Sequence, residues 1–300
     1  MKIGILFSGQ GSQFAQMGID FLTQEQIKCA NQILGYDVLT ILRNEENQLN
    51  DTYYTQPMMV LVEMAMYDHY IKKNRVDGLL GFSLGEFTAF YAAGIFDFET
   101  TLRIIQKRAT YMQEAALKHP GSMAAVLNLE PEKIEHICQE INQQETLVCA
   151  NYNAKNQIVI SGTNNAIEKA ITSLKEQGAK RVIKLNVSGA FHSPLMKEAG
   201  MKLKKFLNDM ETKPAQLPIY LNTTAQVLKD NEILMRIEQQ IQSPVYFYQS
   251  VEQMIKDGYT HLIEIGPGNV LSQLVKRNYP TVKVYNIEKK EDLNHLEGWY

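Results

Sequence analysis

Gly81-Phe82-Ser83-Leu84-Gly85 places a serine between two glycines, after the apolar run Val76 to Leu80 and before a helical pattern. A strand that turns sharply into a helix at such a G-x-S-x-G presents its hydroxyl at the helix N-terminus. There, free N–H groups and the helix dipole favour developing negative charge. The N–H of Leu84 is then placed to serve an oxyanion hole. The same five residues also fit a strand–helix turn with an incidental serine; the strand and helix on either side favour catalysis.

A serine hydroxyl attacks a carbonyl only with a base to take its proton. Of the six histidines, His69 falls in the helical run Glu63 to Tyr70, His119 precedes a proline loop, His136 lies on a helix, His261 begins a strand and His295 is in the tail. Histidines in such places are more often structural or solvated. His192 differs, because Ser188-Gly189-Ala190-Phe191-His192-Ser193-Pro194 follows a strand and holds both glycine and proline, the composition of a loop at a strand end. No acidic residue lies within several positions of His192 to complete a triad. A backbone or amide carbonyl can orient the imidazole instead, since the requirement is a fixed tautomer.

The elements that must hold these residues follow from the apolar patterning. Lys2 to Phe7, Val76 to Leu80 and His261 to Ile265 are short apolar runs that end in glycine-rich turns, the last followed by a helix from about Asn269 to Arg277. Strand, turn and helix in alternation predict an α/β layer on a mostly parallel sheet, with sites at the carboxyl ends of its strands. The middle of the chain reads differently. Ser122 to Leu129, Thr146 to Ala150, Gln157 to Ile160 and Arg181 to Val187 are strand-like, helices start at Pro131 and near Asn165, and Asn151 to Asn156 is turn-rich. That β-α-β-β-α-β order is the ferredoxin-like pattern. The expected fold is therefore α/β, a core with a mostly parallel sheet over 1–117 and 188–300, into which a small ferredoxin-like subdomain is inserted at 118–187. The polar stretch after Lys289 reads as peripheral.

Composition narrows the function classes. Apolar residues make up 45% of the 300 and charged residues 21%, with a net charge of −3 and no basic block, so neither nucleic acid nor an anionic membrane is an expected partner. The apolar start stops within a few residues at Ser8-Gly9-Gln10-Gly11, too short for a signal peptide or a membrane span. Cys29, Cys138 and Cys149 lack metal-ligand spacing, and a sparse, odd count fits a reducing cytoplasm. Gln10-Gly11-Ser12-Gln13 has neither the lysine of a P-loop nor the G-x-G-x-x-G spacing. Met64 and Met66, in a helical run, read as core.

Seven segments together resemble the malonyl-CoA:acyl carrier protein transacylases and the related acyltransferase domains of polyketide synthases. Phe7 to Gln13 is similar to F-P-G-Q-G-S-Q, Gly81 to Glu86 to G-H-S-L-G-E, Lys107 to Met112 to the R-G-x-x-M helix motif, and Ala150 to Asn153 to A-N-x-N. Gly189 to Ser193 matches G-A-F-H-S, Gln240 to Val245 resembles Q-L-x-x-P-V, and Glu264 to Gly268 matches E-x-G-P-G. Each is modest alone; in this order, over nearly the whole chain, they are specific.

The resemblance implies a hydrolase-like core with a ferredoxin-like insert, and an enzyme that moves a malonyl group from malonyl-CoA to an acyl carrier protein for fatty-acid or polyketide synthesis. It implies that Ser83 is acylated, that His192 is base and then acid, and that Gln10 and the Leu84 N–H form the oxyanion hole. It further implies that Arg108 holds the malonyl carboxylate and that a carbonyl of Gln240 orients His192. Met112 and Phe191 would line the acyl pocket, and Asn151 and Asn153 the pantetheine arm. Coenzyme A enters as part of a substrate, and no cofactor or metal is implied. Taken without the resemblance, Arg108 sits on a helical run with Ile105 and Met112 on its face, which fits either a bidentate carboxylate site or a surface arginine whose stem lies along apolar neighbours. Asn151 and Asn153 could equally be ordinary turn residues. Phe82 stands where the family has histidine and Ser8 where it has proline; Phe82 is placed to reshape the acyl pocket. Two other functions share parts of this pattern: a hydrolase of acyl carrier proteins, which would use Ser83 and His192 but not Arg108, and a non-catalytic protein that docks carriers.

Overall fold

The computed structural model describes residues 1–294 and 296. Among the described residues nine strands form two sheets: β1 (Lys2–Phe7), β2 (Gly78–Gly81), β3 (Gly121–Leu127), β4 (Leu147–Ala154), β5 (Gln157–Thr163), β6 (Arg181–Lys184), β7 (Ile219–Tyr220), β8 (Tyr259–Ile265) and β9 (Lys283–Ile287). The first sheet, in the order β7-β2-β1-β8-β9, is parallel throughout. Its central strands are buried on both faces, which is why Ile3, Ile5, Leu6 and Phe7 follow one another without polar alternation. Each such side chain contributes about 1.5–3 kcal/mol by leaving water.

The second sheet, in the order β4-β5-β3-β6, is antiparallel throughout and draws its strands from residues 121–184 alone. With the helices Pro131–Asn142 and Asn164–Glu176 it has the ferredoxin-like connectivity that the strand and helix pattern predicts. Three local expectations are corrected. The turn-rich stretch from Asn151 does not leave the sheet until Lys155, because β4 absorbs Ala150 and Asn153 at two register shifts, while Asn151 pairs with Val159 and bridges to Val245. Strand β6 ends at Lys184, after which Val187 N–H bonds to Leu185 O and turns the chain out of the ladder. The polar tail forms a helix at Lys290–Asn294, and Leu296 is buried in the main core; His295 lies outside the described residues.

Register places the site. Phe7, the last residue of β1, pairs with Gly81 of β2 and with Ile265 of β8. The three glycine-containing loops after those strands therefore leave the sheet side by side, at its carboxyl edge. Behind them runs the helix Thr52–Ile71, buried along most of its length, with Met64 and Met66 in the core as read from the sequence. The helix Phe98–Lys118 packs against it and carries Arg108 and Met112 inward.

Candidate active site

Strand β2 ends at Gly81 and the helix Gly85–Ala92 begins four residues later. The turn is tight enough that a Cβ on Gly81 would fall 2.0 Å from Glu86 N, and one on Gly85 would fall 2.4 Å from Phe7 O. Both glycines of G-x-S-x-G are thus required by backbone contacts. Between them Ser83 adopts φ 49°, a left-handed conformation rare for a residue with a side chain. Asn222, at the end of β7, clips the strained turn: its Oδ1 accepts Ser83 N–H at 2.6 Å and its Nδ2 donates to Gly81 O at 2.6 Å.

Ser83 Oγ lies 2.6 Å from His192 Nε2. His192 is also left-handed, φ 57°, and its N–H bonds to Ile241 O. Its Nδ1 faces two carbonyl oxygens, Gln240 O at 3.0 Å and Ser243 O at 3.1 Å. Carbonyls only accept, so Nδ1 carries the hydrogen and Nε2 presents its lone pair to the serine. Burial is the main cause that pulls the imidazole down to about 4, with the nearby Arg108 cation second and the two carbonyls opposing. At neutral pH His192 is an uncharged base. The other described histidines are elsewhere: His69 bonds to Ala65 O, His136 is exposed beside Glu140, His119 is near Glu198, and His261 is on β8.

A cavity of about 400 Å³ opens onto this pair, lined by Gln10, Leu84, Arg108, Met112, Phe191, Asn151 and Asn153 among others. Every residue singled out from the sequence thus meets in one place, with Gln240 just behind the wall. The backbone N–H groups of Gln10 and Leu84 lie in turns and have no acceptor among the described residues. Two such donors beside a serine hydroxyl form a seat for an oxyanion. Asn153 Oδ1 is buried without a partner. Phe82 borders the cavity with its ring edge-on to Phe247, so an apolar wall stands where the resembled motif has an imidazole.

Arg108 is 1% exposed, which rules out the surface reading. Its Nη1 donates to Gln56 Oε1, its Nη2 donates to Gln240 Oε1 at 3.0 Å, and its Nε is buried without a partner. The guanidinium lies over the Phe87 ring, 5.1 Å from the centroid. Among the described residues no carboxylate is within ion-pair distance of it. The nearest acid, Glu86, is separated from it by the Gln240 amide, whose Nε2 donates to Glu86 Oε2 at 2.9 Å and to Ser83 O. Glu86 also accepts Asn222 N–H at 2.9 Å. Burial pushes this carboxyl up to about 7, with the Asn222 and Gln240 hydrogen bonds and Arg108 opposing. Burial likewise draws the guanidinium below its usual value, with Glu86 opposing, yet leaves it cationic at neutral pH.

Sequence reasoning gave no role to Gln56, Thr52, Glu86, Asn222 or Ser243. Glu86 and Ser243 stand inside the motif segments, and a lone acid in the apolar helix Gly85–Ala92 was the signal available for Glu86. Asn222 has no local signature.

Comparison with known proteins agrees with this geometry. The model of the acyl transferase domain family matches residues 5–293. The malonyl CoA-acyl carrier protein transacylase of Staphylococcus aureus is 37% identical over 306 aligned positions, covering 99% of this chain and 98% of that one. Among solved structures, MCAT from Streptococcus pneumoniae superposes with a TM-score of 0.94 at 39% identity over the full length of both chains. The malonyl-transacylase solved in complex with its type II PKS acyl-carrier protein superposes with a TM-score of 0.95 at 32% identity, over 99% of this chain and 100% of that one. On a family match over nearly its whole length, and on relatives well above 30% identity, the chain belongs to the acyl transferase domain family.

Proposed function

We propose that this acyltransferase takes a malonyl group from malonyl-CoA onto Ser83 and passes it to the phosphopantetheine thiol of an acyl carrier protein, in the cytoplasm, for fatty-acid or polyketide synthesis. The observation that carries the substrate class is Arg108: a buried cation beside the nucleophile, with donors unused and no carboxylate paired to it among the described residues. A guanidinium has five N–H donors and two are taken here, which leaves a fork for a substrate carboxylate.

The steps use only side chains and backbone N–H groups. Ser83 Oγ–H gives its proton to His192 Nε2 as the oxygen attacks the thioester carbonyl. The carbonyl oxygen takes the negative charge and rests on the N–H groups of Gln10 and Leu84. The C–S bond breaks, coenzyme A leaves as its thiol with the proton from His192, and the malonyl ester stays on Ser83. The carrier thiol then attacks in the reverse sense, with His192 as base. An uncharged acyl group would leave Arg108 free to oppose the developing imidazolium. A malonyl carboxylate on Arg108 cancels that charge and eases proton transfer, so the anionic substrate favours its own reaction. The names of the relatives support the same donor and acceptor.

The experiment is a loading assay with purified protein, malonyl-CoA, acetyl-CoA and a panel of carrier proteins bearing phosphopantetheine. Malonyl-carrier should form, and Ser83→Ala should abolish it. Equal loading by the alanine variant, or preference for the uncharged acetyl group, overturns the proposal.

A further inference from the structure

A second polar chain runs from Arg108 away from Glu86. Arg108 Nη1 donates to Gln56 Oε1, Gln56 Nε2 donates to Thr52 Oγ1 at 2.9 Å, and Thr52 Oγ1 donates to Gln10 Oε1 at 3.0 Å. Thr52 and Gln56 are fully buried, one turn apart on the helix Thr52–Ile71.

The direction of the first two bonds is set at the guanidinium end. A guanidinium only donates, so the Gln56 atom facing it is oxygen and the atom facing Thr52 is the amide nitrogen. That nitrogen occupies one lone pair of the Thr52 hydroxyl, and the hydroxyl hydrogen goes to Gln10 Oε1. The bond anchors the side chain of Gln10, the residue that lines the cavity next to Ser83 and whose backbone N–H has no acceptor among the described residues. Bonds aligned head to tail in a buried site polarise one another, so the Arg108 charge strengthens the bond from the Thr52 hydroxyl to Gln10.

We propose that Thr52 is a positioning residue of the oxyanion hole, and that through Gln56 it ties the orientation of Gln10 to the Arg108 cation. The inference rests on the acyl-enzyme reading in giving Gln10 an oxyanion to hold, but does not depend on which acyl donor the enzyme uses. Without the hydroxyl, Gln10 Oε1 loses its donor, and the loop that carries the Gln10 backbone N–H loses its tie to the helix Thr52–Ile71. Gln56 keeps Arg108 and its contact with Met112 Sδ, so the acyl carboxylate site is undisturbed.

The test is single-turnover acylation of Ser83, followed by intact mass, for Thr52→Val, Thr52→Ser, Gln10→Ala and the Thr52→Val/Gln10→Ala pair. Removing an oxyanion donor costs about 10²–10³-fold, and losing its orientation is expected to cost about 10–100-fold in the Thr52→Val rate. The malonyl-CoA concentration at half-maximal rate should stay within about twofold, because the Arg108 contacts remain. Thr52→Ser restores the bond and the rate. In the Gln10→Ala background Thr52→Val should add nothing, since both changes remove one interaction. The same series with p-nitrophenyl acetate, which bears neither a carboxylate nor coenzyme A, should show the same losses. That arm reads the oxyanion hole even if malonyl-CoA is not the donor, so the two failures are distinguishable. A Thr52→Val rate within about twofold of the parent, losses that add in the double variant, or a serine variant as slow as the valine would each overturn the proposal.

Discussion

On the proposed function Arg108 separates an anionic acyl group from a neutral one, and its replacement by alanine removes that distinction. Two of its five N–H donors are held by Gln56 and Gln240, so a carboxylate can take two of the remaining three. Charge-assisted bonds contribute about 1.5–3 kcal/mol each, and two of them about 3–6 kcal/mol. At about 1.4 kcal/mol per factor of ten, Arg108→Ala should slow malonyl loading of Ser83 by about 10²–10⁴-fold. Acetyl loading should hold or rise, because the second cause of the low His192 basicity disappears with the cation. The substitution also strips the oxygens of Gln56 and Gln240 of their donor, at about 1–3 kcal/mol each, so a lower melting temperature is expected. The acetyl arm separates that loss from the loss of recognition. The assay is rapid mixing with each acyl-CoA, an acid quench and intact mass. Malonyl loading within tenfold of the parent, or a parallel fall for both acyl groups, would refute the reasoning.

Other outcomes follow from the same network. The acid limb of malonyl-CoA kcat/KM should lie near pH 4, because the reactive form of His192 is the neutral one and its proton binds only below that value; in Arg108→Ala the limb moves up, and a limb left near the imidazole's ordinary value of 6.5 in the parent would contradict the burial account. The unfolded chain binds the His192 proton more readily than the folded one between about 4 and 6.5, so this residue makes stability fall as pH drops through that window, read by thermal melts of parent and His192→Gln. Gln240→Ala leaves Ser83 O, Glu86 and Arg108 each short of a partner, at about 1–3 kcal/mol per buried group; its melting temperature should fall, and malonyl loading should suffer more than acetyl loading. Glu63 is fully buried with Oε1 unpaired, and burial raises it well above the usual carboxylate value; its contribution is present at low pH and lost as pH rises, so Glu63→Gln should gain more melting temperature over the parent at pH 8 than at pH 5, and an equal difference at both would count against a neutral Glu63.

The positions of Ser83 and His192 could be read from the chain because strand ends announce themselves. An apolar run that stops at glycine marks where a buried strand leaves its sheet, and three such stops correspond to the loops after β1, β2 and β8. The ferredoxin-like order was legible for the same reason: Pro131 and Gly178 bracket helices between strand-like runs. Asn151 to Asn153 misled because asparagine favours turns locally, whereas its place here is decided by the bridge to Val245, some ninety positions away. Apart from the Gln240 carbonyl on His192, which came from the resemblance alone, the partners of Ser83, His192 and Arg108 were not legible. Asn222 meets Ser83 across 139 positions, and Gln240 meets Glu86 across 154. Such contacts exist only once the sheet is assembled, and amides give no periodic signal. Arg108 shows the limit most plainly: the spacing on its helix is the same for a buried guanidinium as for a surface stem, and only the folded chain shows that it is buried.

On the proposed function Ser83 becomes the acyl carrier on the enzyme, activated by His192. Mixing the protein with malonyl-CoA in the absence of any carrier, quenching in acid and mapping the peptides by mass tests it most directly. One malonyl ester on the peptide that contains Ser83, absent in Ser83→Ala and formed far more slowly in His192→Ala, is the expected result. A malonyl group on another residue, or full loading of the Ser83→Ala protein, would contradict the account.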